Sequence, residues 1–377
     1  MLASDHWTLV QPAGLHPLEG LRCCEEAIAL ARDIGWRPGQ VFAQIIRLCC
    51  LTYVGDYARA LEAIDCLALA EELEHRQWTT GALCALGFLR LDLFDHETAQ
   101  RYFERALVLT REIGSDAWDG TTASGLARTL VSSGLAAQAA TLLDGYAPER
   151  PSRTVGGTLL LGAQCEVALA RGRHVQALEL ADELIGQAAQ REGPPSVVPR
   201  LLKLRGHALV ALGRFEEGVL AFQQARAIAV EISARPLLWR IDAALGRVFT
   251  LLRQTTKAQH YFNTARACVE ELADAIADAS LRAVFLEGVA AELPSPRPLT
   301  PRRAAKQQFG GLTDRERDVA ALITRGYSNR EIADRLVLSE RTVETHVRSI
   351  LDRLAMSSRA QVAAWAQAHG LGSPTTV

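Results

Sequence analysis

The sequence contains no apolar run near the ~18 residues that a membrane span requires. Its opening stretch, MLASDHWTLVQPAGLHPLEG, has no basic flank leading into an apolar core. The first absence argues against a membrane protein and the second against a secretory leader, so a cytoplasmic chain is expected. The eight cysteines include no Cys-x-x-Cys pair and no histidine at zinc-finger spacing, which leaves metal binding without support. No Gly-x-x-x-x-Gly-Lys-Ser/Thr string occurs, so a P-loop nucleotide site is not expected. Gly-x-Ser-x-Gly and His-Glu-x-x-His are missing too, and Ser, His and Asp scattered over helices make no triad without geometry. No cofactor and no enzymatic activity are therefore expected. The doublets Cys23-Cys24 and Cys49-Cys50 admit oxidant sensing, but in a reducing compartment a buried thiol is more simply a small hydrophobe.

What is present suits a globular chain of more than one domain: 377 residues, 49% hydrophobic and 22% charged. The net charge of −2 hides an asymmetry. Residues 1 to 292 hold 28 basic against 35 acidic side chains, residues 293 to 311 hold four against none, and residues 312 to 377 hold nine against eight. The basic surplus towards the C-terminus suggests that an anionic polymer is met there.

An all-α reading follows from periodicity. Apolar fragments beginning at Ala27, Cys66, Ala106, Ala225 and Ala265 share one pattern, and their starts advance by 39, 40, 119 and 40 residues. The long step is three periods. Turn signals fill the gaps at Gly55-Asp56-Tyr57, Phe94-Asp95-His96, Gly134-Leu135, Gly172-Arg173-His174 and Gly213-Arg214-Phe215. Between them, apolar residues recur at three- and four-residue spacing, as amphipathic helices require. Two helices per period of about 40 imply hairpins that bury their apolar faces by stacking on their neighbours, a curved α-solenoid. The string Gly55-Asp56-Tyr57-x-x-Ala60, followed by Cys66 and Ala70, resembles the tetratricopeptide repeat, with units longer than usual and degenerate around 134 to 150 and 172 to 190. Cys66 aligns with Ala27 and Ala106 and so reads as a packing residue. Such arrays bind peptides, proteins or small ligands without a fixed signature, so residues 1 to 292 are expected to be a sensor or interaction domain with an unidentified effector or partner.

Residues 293 to 311, LPSPRPLTPRRAAKQQFGG, carry four prolines and read as a tether whose Arg302, Arg303 and Lys306 could meet phosphates. Beyond it, Thr313 with Glu316, Ser328 with Glu331 and Ser358 with Gln361 each form the Ser/Thr-x-x-Glu/Gln signature of a helix start, and Ser339 marks another. Helices are predicted near 314 to 325, 329 to 336, 340 to 354 and 358 to 369. Only Val337-Leu338-Ser339 joins the second to the third, which forces a steep crossing of the helix-turn-helix kind. On the third, Val343, Val347, Ile350, Leu351 and Leu354 share one arc, and Arg341, Thr345, Arg348 and Ser349 lie opposite it. That polar face suits a major groove: Arg can donate twice to guanine, Thr can meet a thymine methyl and Glu344 can accept from cytosine. Thr342, His346 and the helix amides suit phosphates.

Leu312-Thr313-Asp314-Arg315-Glu316, Gly326 to Ala333 and Leu338 to Val347 closely resemble the LuxR-type helix-turn-helix domain. The resemblance covers residues 312 to 377 and implies double-stranded DNA as partner, bound as a homodimer. It places groove contacts on Glu344, Thr345 and Arg348, further DNA contacts on Ser328, Asn329, Arg330 and Ser339, and a dimer contact on the last helix at Val362 and Trp365. Helical repeats before such a domain are similar to the C-terminal part of large ATP-binding LuxR-type regulators, so the chain reads as a shortened relative or a fragment of one. A DNA-binding regulator with a helical-repeat sensor is the leading expectation. A protein scaffold with a vestigial DNA module, and an undetected enzyme, compete with it.

Overall fold

The computed structural model describes residues 17–146, 155–189, 199–294, 309–354 and 356–371. Among them every regular element is helical, and no helix is long and apolar enough to cross a membrane. They fall into two compact units, one within residues 1–294 and one within 295–377.

The first unit opens with α1 (Pro17–Asp33) and α2 (Arg37–Val54), then α3 (Tyr57–Glu62), a 3-10 turn at Ala63–Asp65 and α4 (Cys66–Glu72). It continues through α5 (Arg76–Asp92), α6 (His96–Ile113), α7 (Asp116–Ser132), α8 (Ala136–Asp144) and α9 (Val155–Ala170). It ends with α10 (His174–Ala189), α11 (Pro199–Ala211), α12 (Phe215–Glu231), α13 (Arg235–Leu251), α14 (Thr255–Asp274) and α15 (Ala279–Glu292). Each expected turn separates two of these helices. At Gly55, Gly134, Gly172 and Gly213 the chain takes a left-handed φ of 73° to 79°, which only glycine adopts without cost. Asp56 and Asp95 then cap the next helix by accepting from the N–H of Arg59 and of Thr98.

The repeat has a packing reason that the periodic pattern did not reveal. Phe103, Phe222 and Phe262 hold equivalent places, and each aromatic side chain rests on a glycine of the preceding helix: Gly87, Gly206 and Gly246. A Cβ added at Gly206 would stand 2.6 Å from Phe222, so the small residue sets how closely the two helices approach. Cys66 is fully buried, and burial pushes the thiols of Cys66, Cys84 and Cys165 up to about 12, which keeps them protonated packing groups.

The array departs from nearest-neighbour stacking, because its two ends share one core. Buried residues from Leu21 to Leu93 and from Leu202 to Leu293 form a single apolar cluster. Arg235 of α13 donates to the carbonyls of Val54 and Gly55 at 2.9 and 3.1 Å. Arg240 pairs with Asp92 at 2.9 Å, and Asp92 accepts from the Tyr57 hydroxyl at 2.6 Å. Burial first, and then the Asp92 carboxylate, hold that phenol far above its ordinary titration range. Phe94 completes the closure. It stands where Gly55, Gly134, Gly172 and Gly213 stand in four other turns, at a φ of 62°, and its side chain lies about 6 Å from those of Trp239 and Phe285.

The second unit holds α16 (Asp314–Thr324), α17 (Asn329–Leu336), α18 (Glu340–Leu354) and α19 (Arg359–Ala368), each end within one residue of the expected bounds. Of the tether read over 293 to 311, residues 295–308, with Arg302, Arg303 and Lys306, lie outside the described residues. Leu293 belongs to the core of the first unit, and Phe309 receives the Arg317 guanidinium at 5.3 Å.

Replacing Phe94 by glycine separates two effects. Relief of the left-handed φ is worth about 1–2 kcal/mol, while losing a wedged aromatic side chain costs about 3–5 kcal/mol. Phe94→Gly is therefore expected to destabilise the protein by about 2 kcal/mol in denaturant titration; a gain in stability would show that closure contributes nothing.

Candidate nucleic-acid interface

The geometry of the second unit starts from its caps. Thr313–Glu316, Ser328–Glu331 and Ser358–Gln361 each make both halves of the reciprocal box, so the starts of α16, α17 and α19 are fixed locally. The Ser339 hydroxyl accepts from the N–H of Thr342 at 3.1 Å and bonds the Thr342 hydroxyl at 2.7 Å, which starts α18. Leu312, Val319, Ala320, Ile323, Ile332, Ala333, Val343, Ile350, Val362 and Ala366 form the core, with Val347, Leu351 and Leu354 packed beside it. The apolar arc read from α18 thus faces inward.

Glu316 is the buried carboxylate of this unit. Its Oε2 accepts from the Thr313 N–H and hydroxyl at 2.8 and 2.9 Å, and its Oε1 accepts from Ser349 at 2.6 Å with Arg353 at 3.3 Å. Burial opposes ionisation, but the Ser349 and Thr313 hydrogen bonds and the Arg353 charge outweigh it and hold Glu316 below the usual 4.5. One side chain therefore ties the start of α16 to the last turns of α18.

This bond engages one expected site residue within the unit. Ser349 was assigned to the outward face of α18, yet its hydroxyl is committed to Glu316 and half-buried. At the edge of the arc, a helical projection gives an angle but not the neighbour that a hydroxyl finds. Asn329 is also engaged: its Oδ1 accepts from Arg359 at 2.7 Å, while Arg359 donates as well to the Tyr327 carbonyl. Val362, expected at a dimer contact, is completely buried in the core of its own unit and has no surface to offer. The apolar pattern of α19 is satisfied internally. Trp365 is half-buried, stacked on His369 at 4.2 Å and packed towards Gly310.

The remaining expected residues stay accessible. Arg330, Ser339, Arg341, Glu344, Thr345 and Arg348 are exposed, Thr342 and His346 are half-buried, and Ser328 is exposed but holds its box with Glu331. Thr345 is exposed and its hydroxyl bonds back to the Arg341 carbonyl at 2.9 Å. The arginines divide into two groups. Arg315, Arg317, Arg353 and Arg359 are bound within the unit, and Arg335 lies over the Tyr327 side chain at 4.0 Å. The side chains of Arg330, Arg341 and Arg348 have no hydrogen bond, ion pair or aromatic contact among the described residues, and neither does that of Arg325, which the sequence reading did not single out. A cation left unpaired beside two helix N-termini suits phosphate.

The turn between α17 and α18 carries strain. Val337 has a φ of 54° and is 89% exposed, a left-handed conformation that a β-branched residue rarely adopts.

This architecture defines a helical-repeat array on a chain that also carries a helix-turn-helix module. Residues 311–366 match the family described as bacterial regulatory proteins, luxR family, so the module is a LuxR-family helix-turn-helix. A protein of Mycobacterium bovis named as an HTH-type transcriptional regulator is 33% identical over 138 residues, which are 35% of this chain and 15% of that protein. DevR/DosR of Mycobacterium tuberculosis, a DNA-binding transcriptional activator, is 43% identical over 67 residues, 17% of this chain and 31% of that one. The chain thus spans only 15% to 31% of the length of these relatives. A solved Rap protein complexed with competence and sporulation factor is similar in fold, with a TM-score of 0.52 at 11% identity over 96% of this chain and 98% of that one.

Two outcomes are expected here. Because Glu316 titrates below its unfolded value, its stabilisation is complete above that value, near 4.5, and is lost as pH falls through the lower folded value. Glu316→Ala should cost about 3 kcal/mol at neutral pH by leaving its donors unmatched, and should flatten the acid limb of stability followed by circular dichroism. Val337→Asn or Val337→Gly should raise the stability of the same unit by about 1 kcal/mol in thermal unfolding.

Proposed function

We propose that this chain is a sequence-specific, DNA-binding transcriptional regulator in which residues 312–377 bind duplex DNA and residues 1–292 sense an effector or partner. The observation that carries it is the outward face of α18, where exposed and unpaired Arg341, Glu344 and Arg348 flank Thr345. Arg348, Glu344 and Thr345 read base edges. Arg325, Arg330, Ser339, Thr342 and His346, together with Ser328 and the amides at the starts of α17 and α18, hold phosphates. Asn329 and Ser349 act indirectly by fixing these helices. The protein binds rather than catalyses, works in the cytoplasm on the nucleoid, and pairs as a homodimer on a two-fold site through the exposed part of α19 beside Trp365. Residues 293–311 serve as the tether through which effector capture alters pairing of two modules. The likeness in fold to a Rap protein complexed with competence and sporulation factor supports reading the array as the sensing part.

Duplex affinity should fall steeply with salt, as phosphate contacts require. Arg348→Ala should cost about 1–3 kcal/mol on the preferred site and relax base preference at one position. Ser349→Ala should instead lower stability while keeping that preference. Competition binding against single-base variants checks both, and an Arg348→Ala protein with unaltered preference would remove Arg348 from the reading face.

A further inference from the structure

Within the first unit, charged side chains from six helices converge on its inner face. Glu166 of α9 pairs with Arg128 of α7 at 3.4 Å and with Arg200 of α11, whose Nε donates at 3.0 Å. Arg240 of α13 pairs with Asp92 of α5 at 2.9 Å and stands 3.9 Å from Glu292 of α15. These groups feel one another across the unit: Arg128 is influenced by Arg200, Glu166, Asp92 and Arg240, and Lys203 by Glu292, Glu166, Arg240 and Arg200. Arg128, Glu166, Arg200, Arg240 and Asp92 still keep 14% to 26% of their side-chain surface, so solvent and small solutes reach them.

The charges do not balance. Lys203 has no hydrogen bond or ion pair among the described residues, and Arg128 meets Glu166 through its Nε alone, at 3.4 Å and without completing a hydrogen bond, which leaves its two terminal nitrogens to other partners. Arg247 of α13, which is exposed, donates to the Glu292 carbonyl at 2.5 Å. Leaving the exposed Arg247 aside, four cations, Arg128, Arg200, Arg240 and Lys203, face three carboxylates, Glu166, Asp92 and Glu292. Burial pushes Lys203 down to about 8 and His207, one turn along α11, down to about 3, so the imidazole is neutral and brings no further charge. An unmatched cation partly withdrawn from water is favoured by an anion that completes it. A planar guanidinium with open donors beside an ammonium presents the fork and point charge that carboxylate and phosphate oxygens accept.

We propose that the inner face of the helical array binds a small polyanion, with two or more negative charges on carboxylate or phosphate oxygens, held by Lys203 and the open donors of Arg128 and Arg200. This deepens the sensor reading by naming the effector's chemistry, and it rests on that reading only for its regulatory meaning.

The test uses the full chain near neutral pH, titrated separately with inorganic phosphate and with succinate, chloride holding the ionic strength constant, and followed by calorimetry and thermal unfolding. Saturable binding of at least one probe with a raised Tm is expected, and the stronger probe identifies the oxygen chemistry. Lys203→Met should match or exceed the wild-type Tm without anion, because an unpaired buried charge is removed, and should bind the probe about tenfold more weakly or worse. A structural lysine would give the opposite first result. Absence of saturable binding to the wild-type chain overturns the proposal, as does unchanged affinity in Lys203→Met. A lowered unliganded Tm in both Lys203→Met and Lys203→Gln also overturns it. Duplex binding by the same preparations reports the regulator reading independently.

Discussion

Glu316 accepts from Thr313, Ser349 and Arg353 at once, and the rest of the C-terminal unit is arranged around that set of bonds. A buried carboxylate is tolerable only when its oxygens are matched, so α16 and α18 cannot slide or rotate against each other without exposing the mismatch. With Val343 and Ile350 packed in the core, the same constraint decides which side of α18 meets solvent. Rigid presentation matters because discrimination between bases depends on donors held in place before contact. The arginine partition follows from it: those on the inner flanks are consumed in holding the unit, and those on the outer face remain free.

The helical array is governed by a different constraint. Open solenoids need only bury each hairpin against the next, whereas here α2, α3 and α5 also bury surface against α13, α14 and α15. The closure is paired chemically as well as apolar, through Arg235 on two carbonyls and through Arg240, Asp92 and Tyr57. Strain at Phe94 is tolerated because its aromatic side chain is fixed between elements nearly 200 residues apart in sequence. Bringing the ends together also gathers charges on the inner face. An anion placed there would touch helices from both halves of the array, which gives a ligand a physical means of biasing its shape.

Much of this was legible in the sequence wherever the cause was local. All three reciprocal caps formed as read, because Ser or Thr and the residue three positions on need only each other. Helix periodicity and the glycine turns gave the repeat for the same reason. Contacts between distant residues were not legible. Ser349 lies where a helical projection permits either solvent or Glu316, and Val362 fits an apolar stripe whether the stripe faces a partner or its own core. The closing contacts of Phe94, Arg240 and Phe285 leave no trace in a pattern with a period of about 40, since each lies far from its partner along the chain. Nor could spacing show that Lys203 lacks a counter-ion while its neighbours on α11 and α9 have theirs.

Sequence-specific reading of duplex DNA by the exposed face of α18 is tested most directly by selecting full-length protein against a random pool of DNA duplexes at moderate salt. Enrichment of one short, two-fold-related motif is expected, with retention lost as salt rises. Enrichment of no motif, at any salt at which the folded protein is recovered, would contradict it.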